Sequence, residues 1–324
     1  MAEPSVLDFE RTIDEIDGNL AKMRQMVADR ASVTQNPTLP DQIAELEQHR
    51  TVILQELFAN LSPWDNVLLA RHLKRPYTLD YISAICEDFQ ELHGDRMGYD
   101  DGAIVAGLAR FDGRRVAIVG HQKGRDLKQR QHRNFGSARP EGYRKAGRVM
   151  RLAVKFNLPI ITLIDTAAAA ADVSADERGI SEAIARSMYD MATLPVPIVA
   201  AVIGEGGSGG AIGLAVADRV LMLEHAIYSV IPPEGCAAIL FRDPEQKAKA
   251  AESLNLTAQG AKALGVIDEI VPEPLGGAHR DWVLAAENLR SALARHLSEL
   301  SHFPTDALLE QRYQKFRRMG QFTE

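Results

Sequence analysis

An α/β fold with helical additions at both ends is predicted by three features of the sequence. Short apolar runs crowd the middle of the chain: AIVAGLA, RVAIVGH, LPIITLID and PVPIVAAVIG, then RVLMLE and IYSVI. Helical patterns separate several of them, at 143–156 and 177–194, and apolar strands divided by helices build a sheet covered on both faces. Ahead of the first run, apolar residues recur at alternating spacings of three and four, the period of a helix packed along one stripe.

The N-terminal stripe is Ile13, Ile16, Leu20, Met23 and Val27, and after a break at 36–40 it resumes as Ile43, Leu46, Ile53 and Leu57. Two antiparallel helices would bury these stripes against each other, either as internal packing alone or as part of a hold on a partner subunit. A further helix is predicted over 79–92, after the turn-like Lys74, Arg75 and Pro76. Asp112 and Gly113 mark a hairpin turn between the first two apolar runs. Thr257 reads as the N-cap of a short helix leading into VIDEIV, and 281–300 reads as a final amphipathic helix. This divides the chain into a helical region at 1–90, a core at 91–275 and a helical tail at 276–324. Nothing repeats at a fixed period, and no low-complexity linker intervenes.

Composition narrows the function. With 324 residues, 46% hydrophobic and 25% charged, the chain can bury a substantial core. A net charge of -7 disfavours a nucleic-acid groove or an anionic membrane as main partner. No segment has the roughly 18 uninterrupted apolar residues of a membrane helix, and the first ten residues lack the basic-then-apolar order of an export signal, so a cytoplasmic protein is expected. Cys86 and Cys236 stand far apart with no CxxC spacing, which supplies neither a zinc ribbon nor a disulfide framework. Both are expected as small buried hydrophobes.

The densest signal is IGEGGSGGAIG at 203–213, directly after an apolar run. Gly204, Gly206 and Gly209 fit a dinucleotide fingerprint, with Glu224 near the distance of a ribose-binding acid. At least three core strands precede the run, however, whereas the fingerprint normally opens the first strand-helix unit. Gly206 to Gly210 also satisfy GxSxG, a nucleophile elbow around Ser208, but the acid and histidine of a triad would have to come from Asp218 and His225, which follow very closely. The glycines could instead let a helix pack tightly on the sheet. Finally, successive backbone N–H groups at a helix start, with no Cβ in the way, form a concave anion site. Each such donor supplies about 3 kcal/mol to a transition state that places negative charge on oxygen. That reading needs no catalytic side chain, and the sequence offers no paired carboxylates, metal cluster or convincing triad.

The segments GHQKG (120–124), RNFG (133–136), PEGYRKA (140–146), LIDT (163–166), ERG with SEAIAR (177–186), IGEGGSGGA (203–211), YSVI and PEGCA (228–237) and VPEPLGGAHRD (271–281) occur in order. Together they resemble the carboxyltransferase alpha subunit of bacterial and plastid acetyl-CoA carboxylase, over about residues 7–317. The resemblance implies a crotonase-like (ClpP/crotonase) fold of repeated ββα units with the N-terminal helical hairpin and C-terminal helix added. It implies an assembly of two alpha and two beta subunits with the active site between one of each. That enzyme moves the carboxyl group of carboxybiotin, carried on a separate biotin carboxyl carrier protein, to acetyl-CoA, giving malonyl-CoA in the first step of fatty acid synthesis.

The chemistry suits bare amides. Negative charge grows on the ureido oxygen as the carboxyl group leaves, and the biotin anion itself removes the proton from the acetyl methyl. The resemblance places the biotin-side oxyanion hole on amides from Gly206, Gly207, Gly209, Gly210 and Ala211. The thioester enolate, and the family's zinc ribbon, would belong to the beta subunit, and no cofactor is expected bound covalently to this chain. Lys123, Arg125, Lys128, Arg130 and Arg133 form a basic run that is either a solvated face or a set of contacts to CoA phosphates or the carrier, with Lys123, Arg125 and Arg133 as the site candidates. Arg144 and Lys145 are similar. Neither a P-loop nor a Met-Lys-Met biotin attachment site is present, which assigns ATP use and biotin loading to other components.

One stretch departs from the family. Where it has Pro-Gly-Ala-Tyr-Pro-Gly after LIDT, this chain has Ala167, Ala168, Ala169, Ala170 and Ala171, then Asp172. That loop lines the biotin side in the family, and alanines, which favour helix, do not fix the same turns. The fold and assembly are expected to survive and turnover to fall. Two other functions stay open: a self-contained acyl-CoA hydratase or isomerase using Glu205 or Glu234 as acid or base, and a scaffold for the beta subunit.

Overall fold

The computed structural model describes residues 7–28 and 38–320. The chain divides into two compact units, Met1–Ser62 with His72–Lys74, and Pro63–Arg71 with Arg75–Glu324.

The first unit holds helices α1 (Arg11–Ala28) and α2 (Leu39–Ala59). Ile13, Ile16 and Leu20 are buried on α1, and Leu39 and Leu54 on α2, with Ile43, Leu46, Ile53 and Leu57 half-buried along the predicted stripe. Arg24 pairs with Glu47 at 2.6 Å and Arg50 with Asp17, the order of an antiparallel pair. The predicted break at 36–40 falls partly outside the described residues, and α2 starts with Pro40 in its first turn, where a missing N–H costs nothing.

The second unit is one sheet of eight strands with helices around it. In chain order its elements are α3 (Pro63–Ala70), α4 (Thr78–Ile85), β1 (Cys86–Glu91), β2 (Ile104–Phe111), β3 (Arg114–His121), α5 (Leu127–His132), α6 (Pro140–Lys155), β4 (Ile160–Thr166), α7 (Val173–Glu177) and α8 (Ile180–Thr193). Then follow β5 (Ile198–Gly207), α9 (Ser208–Ile212), β6 (Arg219–Leu223), β7 (Ile227–Ser229), α10 (Pro233–Leu240), α11 (Lys247–Leu254), α12 (Ala258–Ala263), β8 (Glu269–Val271), α13 (Trp282–Leu300) and α14 (Thr305–Arg317). The sheet order is β1-β2-β3-β4-β5-β6-β8, with β7 on the end of β5. β1 to β3 are antiparallel and the remaining pairings are parallel.

Local chemistry accounts for most of this. β2 and β3 pair Phe111 with Arg114, and Asp112 and Gly113 both take positive φ (48° and 74°), as a two-residue hairpin turn requires. Every residue of β4 and β5 is buried, which explains why both open on apolar runs and carry only Thr162, Asp165, Thr166 and Glu205 as polar residues. Thr257 caps α12 by accepting from the N–H of Gly260, as its position predicts. Cys236 is buried in a small apolar cluster, while Cys86 is half-buried at the start of β1.

Two predicted elements are corrected. The helix expected over 79–92 ends at Ile85, because Cys86–Glu91 is drawn into antiparallel pairing with β2. The helix over 281–300 is not the final one. After it, α14 packs Leu308 into the core and buries Arg312, which donates to Asp218 at 2.8 and 2.7 Å and to the carbonyls of Met191, Leu194 and Val196 at 2.7 to 2.9 Å. An arginine at the buried position of a helix leaves its apolar stripe too thin to read.

Candidate active site

The glycine run sits where β5 loses its regular partners. Ile164 on β4 pairs with Val202, but Thr166 pairs with Gly206, so residues 203–205 bulge out of the ladder. At the same place β5 exchanges partners, from β6 at 199–202 to β7 at 205–207. Backbone groups freed in a buried bulge must find other partners. Arg75 Nε donates to the carbonyl of Ile203 at 2.7 Å, and Asp165 Oδ1 accepts from the N–H of Glu205 at 2.9 Å.

Immediately beyond lies the strand-to-helix junction. Gly206 and Gly207 are the last residues of β5, opposite Tyr228 and Ser229 of β7. Gly209, Gly210 and Ala211 belong to the five-residue α9, whose N-cap is Gly207. In a helix starting there, Ala211 is the first residue whose N–H reaches back to a carbonyl, and the amides of Ser208, Gly209 and Gly210 have none. A cleft of about 560 Å³ opens beside Ser208 and Gly209, walled by Met188, Ile212, Tyr228, Val230 and Phe316.

Residues 167–171 lie against this junction. They form no helix despite their composition, since helix starts only at Val173, behind the N-cap Asp172. Thr166 Oγ1 donates to the carbonyl of Ala168 at 2.7 Å and Ala170 N–H to that of Ala138 at 2.9 Å, contacts that override alanine's helix preference. A Cβ on Gly207 would overlap the carbonyl of Ala167, and one on Gly210 would fall 2.6 Å from the nitrogen of Ala169. Two of the glycines are therefore the condition for the alanine loop to lie where it does.

Around the bulge is a set of buried charges that the sequence did not bring together. Lys123 Nζ lies 2.8 Å from Asp165 Oδ1 and 2.7 Å from Glu205 Oε2. Arg71 donates to Glu205 Oε1 at 2.7 Å and to Glu234 at 2.5 Å. Arg75 is paired with Glu273. The one sequence cue was a lone carboxylate, Asp165, ending an apolar run.

The basic run is thus largely directed inward, and Lys123 is held by carboxylates. Arg125 pairs with Asp80 and lies over the rings of Tyr77 and Trp282, 4.4 and 4.6 Å from their centres. Arg133 donates to the carbonyl of Gly102 at 2.8 Å. Arg144 binds Asp95 at 3.0 Å, and Lys145 binds Asp100 at 2.6 Å and the carbonyl of Asp101 at 2.8 Å.

Burial alone would raise Glu205 and Glu273, but the cations beside them, Lys123 and Arg71 for one and Arg75 for the other, hold both at about 2. Glu205 is then a fixed anion at neutral pH, which removes it as a general acid or base. Burial raises Asp165 above the usual carboxylate range, against the pull of Lys123. Burial, reinforced by Lys123, pushes His121 down to about 3, so it is neutral and a poor base. Glu205 and Glu273 titrate below the unfolded glutamate value of about 4.3, so the stability they contribute is complete above that value and is lost as pH falls toward 2; Asp165 acts in the opposite sense. The denaturant midpoint is expected to drop between about pH 5 and pH 3. A flat midpoint over that range would contradict these assignments.

The competing readings of the glycine run lose their partners. Ser208 does take the positive φ of an elbow, 52°, but Asp218 is occupied by Arg312, and the His225 ring contacts Asn66 at 3.1 Å while the backbone N–H of His225 donates to Glu273. Glu224 accepts from the N–H of Glu273 instead of facing a ribose, and strands β3 to β6 follow one another without the reversal of a dinucleotide fold. Glu234 is held by Arg71.

The fold is shared with a solved transcarboxylase and a solved decarboxylase. A transcarboxylase 12S core with hydrolysed methylmalonyl-coenzyme A bound matches with a TM-score of 0.58 at 22% identity, covering 74% of this chain and 44% of that one. A Pseudomonas malonate decarboxylase hetero-tetramer in complex with coenzyme A matches with a TM-score of 0.56 at 16% identity, covering 68% of this chain and 90% of that one. The architecture is that of the crotonase-like carboxyltransferases.

Sequence likeness goes further. The family described as acetyl co-enzyme A carboxylase carboxyltransferase-like matches residues 6–320. The acetyl-coenzyme A carboxylase carboxyl transferase subunit alpha of Geobacter metallireducens is 52% identical over the full length of both chains. That of Geobacter sulfurreducens is 58% identical over 268 residues, 83% of this chain and 84% of the relative. The chain belongs to the family of acetyl-CoA carboxylase carboxyltransferase alpha subunits, enzymes of carboxyl transfer. Among the described residues no helix is long and apolar enough to cross a membrane.

Proposed function

We propose that this chain forms the biotin-side half of a carboxyltransferase active site completed by a beta subunit, and that it works in the cytoplasm. Carboxybiotin on a separate carrier protein supplies the carboxyl group, and acetyl-CoA receives it to give malonyl-CoA. The chain's own contribution is electrostatic. Open amides at the start of α9, that of Gly209 first among the junction residues 206–211, donate to the oxygen on which charge develops, and the apolar wall of the adjoining cleft keeps water away. The single observation that carries this is a pair of helix-start amides without intrahelical carbonyls, Ser208 and Gly209, at the mouth of a cleft whose lining, among the described residues, includes no carboxylate, histidine or lysine.

Zinc is assigned to the beta subunit, and no covalent cofactor to this chain. CoA contacts are not assigned to Lys123, Arg125 or Arg133, whose heads are engaged internally. The alanine loop lies on the glycine junction and is proposed to lower turnover without preventing assembly.

Proline at 209 tests the amides. It deletes one N–H in the first turn of a helix, where proline itself is tolerated, at the cost of pushing Ser208 (φ 52°) toward extended backbone. Gly209→Ala is the control, because its Cβ would meet only Ile184 Cδ1 at an ordinary 3.5 Å. With the beta subunit present, and with malonyl-CoA decarboxylated onto free biotin as the assay, Gly209→Pro is expected to lose about 100- to 1,000-fold in kcat and Gly209→Ala little. Equal activity in both would remove the Gly209 amide from the mechanism.

A further inference from the structure

We infer that Lys123 is a positioning residue for carboxyl transfer, setting the backbone that leads into Gly206 and Gly207 by clamping Asp165 to Glu205. The inference rests on the proposal that the junction after this backbone carries the reacting oxygen.

Three strand ends meet at the Lys123 ammonium. It lies just beyond β3, Asp165 is at the end of β4 and Glu205 is in the bulge of β5. The Asp165 oxygen that touches Lys123 is the one that accepts from the N–H of Glu205, so one ammonium orients both the side chain and the main chain of residue 205. Arg71 takes the other oxygen of Glu205 and ties it to Glu234. The space beside the Asp165 carboxylate is filled closely. A Cβ on Gly204 would overlap that carboxylate.

The stem of Lys123 is fixed as well. Asn134, Phe135 and Gly136 take three consecutive positive φ values, 46°, 55° and 84°. A Cβ on Gly136 would fall 2.7 Å from Lys123 Cγ. Such a run is maintained only where its surroundings enforce it. Stability alone does not explain the arrangement, because buried ion pairs can often be replaced by apolar residues of similar volume without loss. What the charges provide is one geometry for residues 203–205, where the ladder with β4 no longer sets it. A misplacement of about 1 Å at such a site costs about 100-fold in rate.

The test uses the complex with the beta subunit and malonyl-CoA decarboxylation onto free biotin, comparing Lys123→Met, Lys123→Arg and the double variant Lys123→Met/Glu205→Gln. The double variant removes one charge of each sign, which protects folding if the single one fails. A positioning role predicts that Lys123→Met and the double variant lose about 100-fold in kcat at unchanged KM for malonyl-CoA, and that Lys123→Arg recovers part of it. Wild-type kcat in the double variant would reduce the clamp to charge balance and overturn the inference. A raised KM with unchanged kcat would make Lys123 a substrate contact and overturn it too, as would loss of assembly in all three variants. A kcat loss at Lys123 beside full activity in Gly209→Pro would remove the Gly209 amide assignment and leave the positioning role standing.

Discussion

Gly207→Ala is expected to lower carboxyl-transfer activity by about 100-fold or more and to destabilise the second unit by about 1–3 kcal/mol. The φ of Gly207 is -100°, which any residue adopts, so backbone strain is not the cause. The cause is a collision between the new methyl and the carbonyl oxygen of Ala167. A side chain in that place could rotate away, whereas a backbone carbonyl moves only with the chain. Either the loop at 167–170 lifts off or the end of β5 shifts, and both lie beside the amides proposed to carry the reaction. Reducing Ala167 to glycine would give no relief, because its side chain is not what collides. Steady-state assay with the beta subunit and urea unfolding measure the two effects. Wild-type turnover in Gly207→Ala would show that the loop need not rest on the junction.

Arg312→Met should have the largest effect on stability, a loss of about 3–5 kcal/mol in denaturant unfolding. Arg312 and Asp218 are both buried, and the guanidinium also serves three carbonyls on the segment from α8 to β5. Methionine leaves Asp218 without its countercharge, although Asp218 still accepts from the N–H of Ile198 at 2.7 Å. Arg312→Met with Asp218→Asn should recover part of the loss, since no bare charge is then left inside. An unfolding midpoint like that of wild type in the single variant would refute the account.

Much of the fold was legible in the sequence because local rules and burial agreed. The apolar runs became β2 to β7, Asp112 and Gly113 made their turn, and Thr257 capped its helix. The glycines at 206–210 stood at a strand-to-helix junction, as their spacing suggested. What could not be read was set by partners distant in the chain. Cys86–Glu91 is polar and locally unremarkable, and it is a strand only because β2 offers an edge. The alanines at 167–171 favour helix locally but are held as a loop through Thr166 and Ala138. Lys123, Asp165 and Glu205 are far apart in sequence, the first and last separated by 82 in number, and no periodicity links them. The basic run looked like a surface for anions because a sequence shows charges without their counterions.

The exchange of partners along β5 bears on how this scaffold accommodates change. A sheet that divides between β6 and β7 opens a crevice at the carboxyl end of its central strand, a favoured place for ligands in open α/β sheets. The location of the proposed reaction centre then follows from topology, and the residues on its rim are free to vary around it. That separation gives a physical reason why chains with as little as 15% identity can retain one architecture.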